Sequence, residues 1–182
     1  PSDTTIVFGV PAPSVVPVFL TVVRFHIVVG IVCVLAGASA MLSHKGRGRH
    51  STFGTLYYWC LAIVVATATG LSAMRWAENY HLFFLGVVSL IAATVARTAL
   101  RKRWANWVTL HITGMGLSYV LMLTAFYVDN GKNLPLWREL PQWAFWVLPG
   151  AIGILIIIRA LLRHPLMRRG TAPTSLVGAV PP

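Results

Sequence analysis

The sequence predicts an all-α integral membrane bundle of five transmembrane helices, with the N-terminus outside and the C-terminus in the cytoplasm. Three observations lead there. Of 182 residues, 57% are hydrophobic and only 10% are charged, against about a quarter charged in a soluble domain. The apolar residues gather in stretches long enough to cross ~30 Å of hydrocarbon as helices, which takes about 20 residues each. The Lys and Arg residues fall in short clusters between those stretches, concentrated on alternate connections.

Taken in order, the chain opens with a tail, residues 1–17, broken by Pro11, Pro13 and Pro17. It has no basic n-region before its first apolar stretch and so does not read as a cleavable signal peptide. The first span runs from about Val18 to Leu42 and the second from Ser51 to about Met74. The third starts near His81, ends near Arg97 and is extended to Leu100 to reach membrane length. The fourth covers about Trp107 to Val128 and the fifth about Trp143 to Leu162. Each is expected to be helical, because lipid offers no partner for unpaired backbone groups. The bundle thus occupies residues 18–162, and residues 163–182 form a cytoplasmic tail. The longest outer connection, Asp129 to Pro141, contains Pro135 and Pro141 and is expected to be an ordered cap.

The basic residues set the orientation. Lys45, Arg47 and Arg49 lie between the first two spans, and Arg97, Arg101, Lys102 and Arg103 between the third and fourth. Arg159, Arg163, Arg168 and Arg169 close the fifth. These are eleven of the fifteen Lys and Arg residues, whereas Asp3, Glu78, Asp129 and Glu139 all fall on the opposite side. A bias of this size makes the basic side cytoplasmic, and the expected location is a bacterial inner membrane. The net charge of +11 does not indicate nucleic acid, since that reading needs a soluble basic face. Trp76, Tyr80, Trp137, Trp143 and Trp146 read as anchors at the outer interface, and Trp104 and Trp107 at the inner one.

Small residues recur at helical spacing as Ala36/Ala40, Ala62/Ala66/Gly70, Ala92/Ala96 and Gly114/Ser118. Such pairs let helix backbones approach closely in lipid, so a tight bundle without a wide aqueous pore is expected. Cys33 and Cys60 show no CxxC or zinc-type spacing and read as small packing residues.

Ionisable groups inside a membrane are functional candidates, and here they are histidines. His26 lies in the first span two residues after Arg24, His81 opens the third, His111 lies in the fourth, and His50 stands at the inner end of the second. His44 and His164 belong to basic segments at the surface. At 1.5 Å per residue, His26 and His81 each stand ~24 Å above the inner ends of their helices. His111 stands ~12 Å above the inner side, roughly 10 Å out of level with His50. Imidazoles on facing helices supply axial nitrogens to a haem or ligands to a metal. The first cofactor site to consider is therefore His26 with His81, as ligands of haem b or a metal, and Arg24 pairing a propionate. The second is His111 with His50 or Met115. The plain alternative gives these residues interhelical hydrogen bonds, a wet interface and a snorkelling arginine. His111, Met115, Ser118 and Met122 share one face of the fourth helix. No phosphate-binding glycine loop, nucleophile elbow or zinc-protease motif occurs.

Two segments carry a resemblance: FHIVVGIVCVLAGASAMLSHKGRGRHSTFG from Phe25 to Gly54, and HITGMGLSYVLMLTAFYVDNG from His111 to Gly131 with LPLW at 134–137. Over most of residues 22–160 the chain resembles an uncharacterised bacterial family of small polytopic membrane proteins, a domain of unknown function. The matching positions include His26, Gly30, Lys45, Gly46, His50, Gly54, His111, Gly114, Ser118 and Tyr119. The resemblance implies a membrane protein and draws attention to the histidines, but implies no reaction. The leading expectation is a haem-binding or redox-associated membrane protein, with enzymatic activity left open. The alternative is an accessory or structural subunit of a larger membrane complex without its own cofactor. A transporter ranks third, because no inverted repeat or broken helix pair supports it.

Overall fold

With no water to take their backbone hydrogen bonds, apolar stretches of this length satisfy them internally, and all five predicted spans are helices. In the computed structural model the described residues are 5–7, 10–12, 17–44, 48–135 and 137–164. The helices are α1 (Pro17–Leu42), α2 (Arg49–Met74), α3 (Trp76–Lys102), α4 (Trp107–Asn130) and α5 (Gln142–Arg163). All five are long and apolar enough to cross a membrane, the architecture of a multi-pass membrane protein. Before them, β1 (Thr5–Val7) and β2 (Val10–Ala12) pair antiparallel in a small hairpin where the sequence suggested only a broken tail. Lys45, Arg47 and most of the C-terminal tail, with Arg168 and Arg169, lie outside the described residues.

Pro17 opens α1 at the first helical position, where its missing N–H is no loss. The largest departure from expectation is the start of α3, at Trp76 rather than near His81. A single non-helical residue, Arg75, separates it from α2, and its guanidinium pairs with Glu78 at 2.8 Å. Glu78 sits in the first turn of α3, where a carboxylate complements the helix dipole. Residues that resembled an outer loop are thereby drawn into the helix. The expected cap is ordered: a 3-10 turn, Gly131–Asn133, extends α4, and Lys132 Nζ donates to the carbonyls of Leu140 at 2.7 Å and Arg138 at 3.3 Å.

Consecutive helices pack as neighbours, and α1 closes back on α4. Tyr119 Oη donates to the Val34 carbonyl at 3.1 Å across that closing contact. The small-residue stripes divide in two. Ala36, Ala40 and Ala96 are buried, and a Cβ on Gly114 would stand 2.8 Å from the Ala92 carbonyl oxygen, so α1 and the α3–α4 seam use theirs for close packing. The α2 stripe does not act this way: Ala66 and Gly70 are exposed, and Gly70 has nothing within 4 Å of where a Cβ would be. In its place α2 buries Tyr57, Leu61 and Val65, spaced by one turn. α5 packs on α4 through Gly116 against Ile157 and Gly153 against Val120. Its Ile152, Leu155, Ile156 and Leu162 are exposed, which in a membrane means facing lipid.

Candidate cofactor site at the basic end of the bundle

Arg49, Arg101, Lys102 and Arg103 gather where α1 meets α2 and α3 meets α4. At this basic end Gly48 takes φ 120°, a conformation side-chain-bearing residues rarely adopt, and turns the chain into α2. His50 is the second residue of that helix. Its Nδ1 lies 2.8 Å from the carbonyl oxygen of Ala40 on α1. A carbonyl only accepts, so Nδ1–H is the donor. An imidazole held through one nitrogen by a backbone carbonyl is oriented to bind a metal through the other.

The ring facing His50 is that of His111 on α4, with centroids 6.3 Å apart and planes at 80°. Measured from Arg103, His111 looked much deeper than His50. The structure removes that mismatch, because the four residues 103–106 form a lateral turn and add little depth. α4 starts at Trp107, which leaves His111 only ~6 Å into its helix. A separation of 6.3 Å falls within the range of a direct edge-to-face ring contact. Both imidazoles come from facing helices at one level, so each could offer a ring nitrogen to a shared metal ion or haem.

His26 and His81 have other neighbours. His26 Nδ1 lies 2.7 Å from Thr67 Oγ1, and the Thr67 hydroxyl donates onward to the carbonyls of Ile63 and Val64, each at 2.9 Å. The His26–Thr67 bond ties α1 to α2. The His81 ring packs on Tyr80 at 5.6 Å and on Trp146 of α5 at 5.8 Å, with the Asp129 carboxylate in electrostatic reach. The levels of the two differ as well. Tyr58 and Thr94 meet across α2 and α3. Thr67 is nine residues from Tyr58, and Leu85 is nine from Thr94 in the antiparallel partner. His26 thus stands level with Leu85, about one turn, ~6 Å, from His81. Arg24 is exposed on α1. Among the described residues no three or more of His, Cys, Asp and Glu gather in a metal-sized group. The four candidate histidines form one pair and two separate interhelical contacts.

Above the His50–His111 pair the bundle centre is polar and hydrogen bonded. Ser118 Oγ donates to the Met115 carbonyl and accepts from Tyr57 Oη, both at 2.9 Å. Ser89 Oγ donates to the Ser118 carbonyl at 2.7 Å. Three helices, α2, α3 and α4, are thereby joined through groups that are almost wholly buried. Arg97 reaches along α2 instead, with its guanidinium 4.8 Å from the Tyr58 ring centre and 3.4 Å from Thr55 Oγ1. The expected α4 face is present: Ser118 and Met122 are buried and Met115 packs on the same core. Tyr57 and Ser89 escaped the sequence reading, since nothing in a single chain links Tyr57 to a serine 61 positions later. A separate groove of about 170 Å³ runs between α4, α5 and the end of α1, lined by residues such as Met41, Tyr119, Trp137 and Ile156. None of the candidate histidines lines it. No family model, curated protein or solved structure matches the chain.

Proposed function

We propose that this chain is a redox-associated protein of a bacterial inner membrane that holds haem b through His50 and His111, with its basic end in the cytoplasm. The observation that carries the reading is the pairing of two imidazoles from facing helices with ring centres 6.3 Å apart, one of them held through Nδ1 by the Ala40 carbonyl. A haem held by two histidines supplies one-electron transfer. The chain's own contribution would be to fix the His50 tautomer, present both rings between helices, and offer nearby cations to the propionates. Arg49, Arg101 and Arg103 stand at that end. The separate neighbours of His26 and His81 make that pair the weaker choice. The loop charge bias supports the orientation.

The test is an absorption spectrum of the protein gently isolated from membranes, oxidised and then reduced with dithionite. The proposal expects the sharpened visible bands of a six-coordinate haem on reduction. Protein that carries no pigment and takes up none from added haemin contradicts it, and leaves the accessory-subunit reading in its place.

A further inference from the structure

Away from the histidines, the middle of the bundle concentrates sulfur. Cys33, Cys60 and Met122 are buried in one core, and Met115 packs against it. Cys33, from α1, is fully buried, and its Sγ lies 3.4 Å from Sδ of Met122 on α4. Cys60 comes from α2, and the register places it opposite Cys33. His26 meets Thr67 across antiparallel α1 and α2. Seven residues toward the basic end on each helix, about two turns along the same face, stand Cys33 and Cys60. The 3.7 Å approach of Cys33 Sγ to the carbonyl oxygen of Tyr57, one turn from Cys60, agrees with that register. Three helices thus bring two thiols and a thioether to one level of the membrane interior.

We propose that Cys33, Met122 and Cys60 form a binding site for a soft monovalent metal ion of the Cu(I) class. Thiolate and thioether donors select such ions. With metal–sulfur bonds of ~2.3 Å, two sulfurs on one ion lie roughly 3.4–4.0 Å apart for bond angles of about 95–120°, and the Cys33–Met122 separation of 3.4 Å meets that range. Binding forms a bond from the ion to Cys33 Sγ, breaks its S–H bond and releases that proton to solvent. Met122 donates a lone pair through Sδ, and Cys60 stays protonated as the third, weaker donor. No electron changes hands. One thiolate on one monovalent cation is neutral, which suits a low-dielectric interior where net charge is costly. A structural zinc site requires four donors, commonly histidine and cysteine, and no such group forms among the described residues.

The test is a competition titration. Metal-free protein in detergent, kept reduced, is mixed with the Cu(I)–bathocuproine complex, whose colour is lost as the protein withdraws the ion. The proposal expects one Cu(I) per chain, with affinity weakened about tenfold or more by Cys33→Ala and by Met122→Leu. Met122→Leu keeps the side-chain volume, so it carries the test if Cys33→Ala melts early. X-ray absorption of the loaded protein should show sulfur neighbours only, and His50→Ala and His111→Ala should bind as the parent does. Failure to withdraw Cu(I), equal affinity in Met122→Leu, or a loss confined to the two histidine variants would each overturn the site.

Discussion

Adding one methyl group at Gly114 tests how closely α3 and α4 pack. A Cβ there would stand 2.8 Å from the Ala92 carbonyl oxygen and 2.8 Å from Ala96 Cβ. Favourable contacts begin near 3.5 Å, so the helices must part by about 0.7 Å. Neither obstacle is the far end of a flexible side chain, so no rotamer change relieves the clash. Overpacking of this kind costs about 1–3 kcal/mol, and the better helix propensity of alanine returns up to ~1 kcal/mol. Gly114→Ala should therefore destabilise the bundle by about 1 kcal/mol, and Gly114→Leu by more. Gly70→Ala is the control: with nothing within 4 Å, it should be neutral or stabilising by up to ~1 kcal/mol. The assay is unfolding in mixed micelles by titration with sodium dodecyl sulfate, followed by tryptophan fluorescence. Gly114→Ala as stable as Gly70→Ala would refute the claim of close backbone contact on that face.

Further outcomes follow from the same geometry. Tyr57→Phe removes the buried bond to Ser118 and should cost about 1 kcal/mol in the same titration; adding Ser118→Ala should then cost less than Ser118→Ala does alone. Lys132→Met removes the ammonium that holds the Leu140 and Arg138 carbonyls. Faster proteolysis between α4 and α5 is expected, and unchanged cleavage would mean that Lys132 does not hold the cap. For topology, cysteines introduced singly at Arg47, Arg101 and Gly170 should react from the cytoplasmic side, and those at Thr5 and Lys132 from the outside. Labelling of positions 47 and 132 from one side would exclude the proposed orientation.

How much of this was legible in the sequence depended on whether the signal was local. Helix identity was local: the length of each apolar stretch, with lipid denying the backbone any other partner, was enough to locate all five helices. The start of α3 was misplaced because Trp76–Tyr80 is polar enough to resemble a loop, whereas Arg75 and Glu78 form an ion pair across the helix start. Small-residue spacing identified Gly114 correctly and Gly70 incorrectly. Spacing reveals a stripe on a helix but not which neighbour that stripe meets. The histidines were visible as candidates, but their pairing depended on the shape of the connections. A lateral turn at 103–106 brings His111 level with His50, and helix rise alone pointed to His26 and His81. The sulfur core and the Tyr57–Ser118 bond join residues distant in sequence, which no period along the chain encodes.

The central claim, a haem held by His50 and His111, is tested most directly by the reduced absorption spectrum of four single variants, His50→Ala, His111→Ala, His26→Ala and His81→Ala, each confirmed as folded by its melting curve. The six-coordinate spectrum is expected to be lost in His50→Ala and in His111→Ala and kept in the other two. A spectrum lost in His26→Ala and His81→Ala but intact in His50→Ala and His111→Ala would contradict it.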